Sequence, residues 1–188
     1  METKHRCAWC EKDDLYRNYH DNEWGKPIYD DKTIFEFLIL ETFQAGLSWY
    51  TVLAKRENFR KAFDNFDYTK IAQYSDDKLN VLSEDVGIIR NKLKIKATVS
   101  NAQAFMMIQK EFGTFSKYIW NFVDGKPITN KLKTLKDVPS TSPISDALSK
   151  DLKKRGFKFV GSTVIYAHMQ ATGMVNDHVQ DCFLFKND

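Results

Sequence analysis

Proline and glycine are scarce in this sequence of 188 residues, which holds four of the first and eight of the second. Long stretches carry neither, which argues against a turn-rich all-β fold and for helices. No run of 18 apolar residues occurs, so nothing reads as a membrane span. The opening stretch Met1–Cys10 is polar and lacks the apolar centre of a secretory signal. Cysteine is limited to three, an odd number, two of them near the N-terminus. The expectation is a reduced, cytoplasmic protein whose cysteines act as thiolate ligands rather than disulfide partners. A net charge of only +3 does not by itself announce a nucleic-acid partner.

Aromatic residues, in contrast, are abundant at 14%, with 14 Phe and 8 Tyr. An excess of planar side chains suits both a packed core and a protein that stacks on rings. Basic residues gather at Arg90, Lys92, Lys94 and Lys96, and again at Lys150, Lys153, Lys154, Arg155 and Lys158. Each cluster stands near a glycine turn, and each reads equally as a solvated helix face or as a set of phosphate contacts.

The patterning predicts one mostly α domain over 1–188. Asp30 or Asp31 can cap a helix over 32–44, which Ile34, Phe35, Phe37, Leu38, Ile39, Leu40 and Phe43 clothe almost all round, so it is expected to be buried. Further helices are expected over 49–65, 75–82, 91–111, 116–123, 145–154 and 162–172. The span 124–143 holds three of the four prolines and reads as a long loop. No run of strands is expected.

Three constellations carry chemistry. Cys7 and His20 near one end, with His178 and Cys182 near the other, form a possible Cys2His2 set. The i, i+4 spacing of the second pair would place both side chains on one helical face. Four protein ligands would fill a tetrahedral zinc and leave no position for water, which makes such a site structural. Cys10, His5 and His168 are rival ligands, and Cys7-x-x-Cys10 is itself a metal spacing. The second constellation is the corner Arg155–Thr163 between two predicted helices. Gly161 allows close approach of an anion, the N–H groups near Ser162 and Thr163 would face it, and Lys158 and Arg155 add charge. An ordinary helix–helix corner reads the same way. A second glycine turn, Asp85–Arg90, is either a backbone contact or a helix cap. The third is a glutamate on the apolar helix. Glu41 falls among Ile34, Phe37, Leu38 and Ala45, Glu36 is its rival, and periodicity does not separate them.

Several ordered segments then converge. Tyr19-His20-Asp21-Asn22-Glu23-Trp24-Gly25, Leu40-Glu41, Gln44-Ala45-Gly46-Leu47-Ser48-Trp49, Gly87-Ile88-Ile89-Arg90, Ala147-Leu148-Ser149-Lys150, Lys154 through Gly161 and Asn176-Asp177-His178 closely resemble 3-methyladenine DNA glycosylase I. The resemblance spans nearly the whole chain. It implies a helix-hairpin-helix around 145–173 and one structural zinc on Cys7, His20, His178 and Cys182, joining the segments 1–25 and 175–188, with Cys10 a bystander. It implies a base pocket of Trp9, Tyr16, Tyr19 and Trp49 and selects Glu41 over Glu36. Leu47 matches a residue near the gap left by the extruded nucleotide. The expected activity is hydrolysis of the N-glycosidic bond of 3-methyladenine in double-stranded DNA, after base flipping, by a monomer. No lysine stands where a nucleophile would, so a monofunctional enzyme is expected. Asp177 is the alternative stabiliser of the reacting sugar. The rival classes are a zinc hydrolase or deaminase, which needs an open metal position, and a non-catalytic DNA-binding module.

Overall fold

In the computed structural model the described residues are 4–44 and 46–185. Ala45, placed on the Glu41 face by periodicity, lies outside them, as do 1–3 and 186–188. The α-helices run α1 (Asp14–Asn22), α2 (Asp31–Gln44), α3 (Trp49–Ala54), α4 (Arg56–Ala62), α5 (Tyr68–Ile71), α6 (Asp76–Glu84), α7 (Lys92–Phe112), α8 (Phe115–Trp120), α9 (Pro143–Lys154) and α10 (Ser162–Ala171). Among the described residues, none is long and apolar enough to cross a membrane.

α2 is the axis of the fold. Every residue from Ile34 to Phe43 is buried, the two glutamates included. Its apolar girdle packs into one core with Phe59 and Phe63 of α4 and its flank, Ile95 and Phe105 of α7, Phe115 of α8, and Ile165 and Met169 of α10. Asp30 caps it, its Oδ2 accepting from Thr33 N at 2.8 Å. Asp31 does something else: its carboxylate accepts from Phe115 N and Ser116 N, pinning the start of α8 to the start of α2.

Three expectations need correction. The helix over 49–65 is split at Lys55 and stops at Ala62, and Asp64, Asn65 and Phe66 follow with φ of 50–55°. The Lys55 ammonium is drawn to the carbonyls of Val86 and Gly87, which fastens the break to the Asp85–Arg90 turn. The span 124–143 is not featureless. Ile128–Thr129 (β1) pairs in parallel with Val175–Asn176 (β2), and Leu135–Asp137 forms a single 3-10 turn. Two-residue strands are too short to show alternation in a sequence. Finally, 178–182 is a turn, not a helix, with Cys182 N donating to Val179 O at 2.8 Å. α1 has no counterpart among the expected helices. Asp13 caps it, accepting from Tyr16 N at 3.0 Å, and it buries only Tyr19 and His20.

α9 begins with Pro143 in its first turn and a reciprocal Ser142–Ser145 capping box. The turn between α9 and α10 is held by two side chains from the core side. Asn101 of α7 grips the Lys158 backbone, accepting from its N at 2.8 Å and donating to its O at 3.1 Å. Ser149 donates to Val160 O at 2.6 Å.

Candidate active site and metal cluster

A cavity of about 290 Å³ opens where α1, α2, α3 and α10 meet the Leu135–Val138 segment and Asp177. That is near the lower end of small-molecule sites, roughly 300–1,000 Å³, and leaves room for one flat heterocycle. All four expected aromatics, Trp9, Tyr16, Tyr19 and Trp49, line it together with Glu41. Trp24, Gln44, Leu135, Val138, Ala167 and Gln170 line it too, and no sequence pattern pointed to them as a group. Each comes from an element whose position only the tertiary fold sets. Two of them carried a signal, since Trp24 stands in the Tyr19–Gly25 motif and Gln44 opens the Gln44–Trp49 motif.

The structure separates the two glutamates. Glu36 is an ion-pair hub, accepting from Arg56 Nε at 2.5 Å and from Arg60 Nη2 at 2.7 Å. Glu41 faces the cavity, and its Oε2 is buried without a hydrogen-bond partner. Burial pushes its carboxyl up to about 8. The indole Nε1–H of Trp49 is likewise buried and unpartnered. Burial, and then the neighbouring Glu41, raise the Tyr16 and Tyr19 phenols, which therefore stay protonated. Asp177 is fully buried at the cavity wall, but it is satisfied: Asn130 Nδ2, Tyr166 OH and Gln170 Nε2 donate to it at 2.6, 2.8 and 2.8 Å.

The metal candidates also gather. The ligand atoms of Cys7, His20 and Cys182 lie within 4.8 Å of one another, all buried. Cys182 Sγ is 3.5 Å from His20 Nε2, matching the roughly 3.3–3.8 Å between ligands of a tetrahedral zinc with ~2.0–2.3 Å bonds. His178 stands beside this trio, its ring centroid 5.0 Å from that of His20. Its Nδ1 is taken by Asn176 Oδ1 at 2.8 Å, while its Nε2 is buried without a partner. Burial pushes His178 down to about 4, so the ring is neutral with a lone pair at Nε2. His20 Nδ1 is similarly engaged by Asp21 at 2.9 Å. Two imidazoles oriented through Nδ1 and two thiols are a donor set that fits zinc. The rivals drop away: Cys10 Sγ donates to Cys7 O, His5 bonds the Asp181 carbonyl, and His168 is a core histidine against Ile34 O. Gly25, at φ +74°, passes so close that a Cβ there would sit 2.7 Å from His178 Cε1. Trp24 joins cluster and cavity, since it packs on both histidines and lines the cavity.

The expected DNA-facing residues are mostly at the surface. Leu47 stands half-exposed in the turn between α2 and α3, beside the cavity-lining Gln44 and Trp49. Lys158 and Thr163 are exposed, and Ser162 is partly buried, its hydroxyl held by Ser145 and Asp146. Gly161 has an ordinary φ of −60°, and a Cβ there would meet nothing within 4 Å. The chain itself therefore does not require glycine at this position. Two charges expected at the surface face inward. Arg155 is committed to Asp151 and Glu111 and to the Phe112 and Tyr118 rings. Lys94 is buried, donating to Phe43 O at 3.3 Å.

The fold is that of the helical base-excising glycosylases. It superposes on a crystal structure of a 3-methyladenine DNA glycosylase I with a TM-score of 0.94 at 48% identity, covering 97% of this chain and 100% of that one. A Staphylococcus aureus 3-methyladenine DNA glycosylase I, solved to explain its recognition of 3-methyladenine, matches with a TM-score of 0.93 at 37% identity over 97% of each chain. The chain is 49% identical to DNA-3-methyladenine glycosylase 1 of Escherichia coli (strain K12) over 177 residues, 94% of this chain and 95% of the relative. Residues 9–185 match the family model described as methyladenine glycosylase. The chain belongs to the methyladenine glycosylase family.

Proposed function

We propose that this protein is a DNA-repair enzyme that excises 3-methyladenine from alkylated double-stranded DNA. It hydrolyses the N-glycosidic bond of a flipped nucleotide and leaves an abasic site. The observation that carries this reading is the unpartnered Glu41 carboxyl at the wall of an aromatic cavity. An isolated buried carboxylate is costly, and this one lacks a partner that a cationic base with N–H donors would supply. Methylation at N3 puts a positive charge on adenine. The Trp and Tyr faces favour that charge by roughly 0.5–2 kcal/mol per ring, and Glu41 ionises against it. A cationic base leaves as a neutral molecule and needs no proton. Rate then comes from holding base and sugar in a desolvated geometry while water attacks C1′. No lysine lines the cavity among the described residues, in keeping with a monofunctional enzyme that lacks lyase activity.

Cys7, His20, His178 and Cys182 would hold one structural zinc, closing the two ends of the chain against the cavity. When bound, it neutralises the two thiolates and supplies no reaction step, because four protein ligands leave no open position. α9, the 155–161 turn and α10 would act as a helix-hairpin-helix. The first-turn N–H groups of α10 have no intrahelical acceptor, and the open space at Gly161 suits an approaching phosphate. A monomer suits an enzyme that clasps duplex DNA.

The deciding experiment is release of free 3-methyladenine from alkylated duplex DNA. The protein is expected to release it, and Glu41→Gln to reduce the rate on the order of 10–100-fold, the worth of a charged hydrogen bond. Loss of activity in Asp177→Asn with Glu41→Gln fully active would transfer the central role to Asp177. No release by the unmodified protein would remove the reading altogether.

A further inference from the structure

Beside the base cavity runs a second groove of about 440 Å³, and Leu135 lines both. Ala8 lines the groove while its neighbour Trp9 lines the cavity, so the two lie side by side. Lys133 and Lys136 line it on either side of Leu135. Both are exposed, and neither forms a salt bridge among the described residues. The other cation of the groove, Arg6, is already spent on Asp21 at 2.9 Å. Asp181 is the one carboxylate in the lining. Asp137 is turned onto the backbone, its Oδ2 accepting from Thr134 N at 2.8 Å and Lys133 N at 3.2 Å.

The segment is anchored while its lysines are not. Leu132 is buried, and its carbonyl accepts from Gln180 N at 2.8 Å. The Thr134–Asp137 capping box sets the 3-10 turn that presents Leu135 to the cavity. A nucleotide whose base fills the cavity must pass its two phosphates out at the mouth. Leu135 borders the cavity while 39% exposed, and cations stand two residues before it and one after.

We infer that the segment 131–138 is a second DNA-gripping element, in which Lys133 and Lys136 hold phosphodiester groups of the strand that delivers the base. This rests on reading the cavity as the base pocket. It adds a backbone contact separate from the turn between α9 and α10, in the long span where the sequence showed only a loop. Contacts of this kind position the duplex and carry no sequence information.

The test is binding to a duplex bearing a stable abasic-site analogue, followed by fluorescence anisotropy across a salt series. For Lys133→Ala/Lys136→Ala the slope of log K against log salt is expected to become shallower by about 1.8, that is about 0.9 for each phosphate left without its lysine. Quenching of tryptophan fluorescence by free 3-methyladenine is expected to stay as in the unmodified protein. Lys61→Ala/Lys70→Ala, on α4 and α5, is expected to keep the original slope. An unchanged slope in the first variant, or an equal loss in the second, overturns the proposal. Failure of the pocket reading shows separately, as absence of free-base binding by the unmodified protein.

Discussion

Glu36 and Glu41 stand on one helix with nearly the same burial and opposite fates. The first meets two arginines delivered by α4, and the second meets an aromatic cavity. Glu36→Ala removes one of the two carboxylates that hold the buried Arg56, leaving Glu23 at 2.6 Å, and should cost about 2 kcal/mol, the worth of a charged hydrogen bond, read as a lower midpoint in denaturant. Glu41 behaves in the opposite sense. Its folded carboxyl is raised to about 8, whereas in the unfolded chain it ionises near pH ~4.3. Its burial penalty is therefore absent below about pH 4, grows as pH rises, and is complete above about 8. Thermal melts of Glu41→Gln should run several degrees above those of the unmodified protein at pH 8, with the gap closing as pH falls. The proposed excision should follow the same titration. Only the ionised carboxylate pairs with a cationic base, so kcat/KM should rise with pH and level off above about 8. Glu41→Gln should lack that limb.

At the scale of elements, the turn between α9 and α10 is fastened from behind and open in front. Asn101 and Ser149 hold its backbone from the core side. A Cβ at Gly161 would meet nothing within 4 Å among the described residues. Asn101→Ala should destabilise by about 2 kcal/mol, since it removes two hydrogen bonds to a part-buried backbone, and should weaken duplex binding while free-base binding persists. Gly161→Ala should change stability by less than about 1 kcal/mol, because its backbone angles suit any residue. It should still weaken binding to duplex DNA. A Gly161→Ala protein that binds DNA normally would remove the phosphate role from this turn. Two ordinary helices and a glycine between them were legible in the sequence. Which lysines and arginines face outward was not, because Arg155 and Lys94 are captured by acceptors from other elements.

Across the whole molecule, the candidate metal cluster and the aromatic cavity share walls. Cys7, Cys182, Tyr19, Trp24 and Leu132 belong to one buried cluster, and Trp24 touches both histidines and the cavity. Metal analysis is expected to find one zinc per chain, retained in Cys10→Ser and lost in Cys7→Ala. Its removal by a chelator should lower the melting temperature by many degrees, since structural zinc is worth on the order of 10 kcal/mol in small peptides. The same treatment should weaken free 3-methyladenine binding, because the N-terminal segment that carries Trp9 and Tyr16 is then held at fewer points. Retained affinity after complete metal removal would show that cluster and cavity are independent.

The helical class, the buried α2, the four aromatics and the four metal candidates were all legible in the sequence alone. These depend on residue type and local periodicity, or on ordered motifs shared with a family. The rest came from the packing of distant segments. That packing supplies the physical reason for two choices the shared motifs had already made: Glu41 over Glu36, by where the arginines of α4 fall, and Cys7 over Cys10, by which thiol faces the histidines. It brought His178 and Cys182 together through a turn rather than a helix. It also folded the 124–143 span onto the chain end, so that Leu135 and Val138 became walls of the cavity. Each of these depends on contacts between residues far apart along the chain, and no local pattern encodes which remote partner arrives.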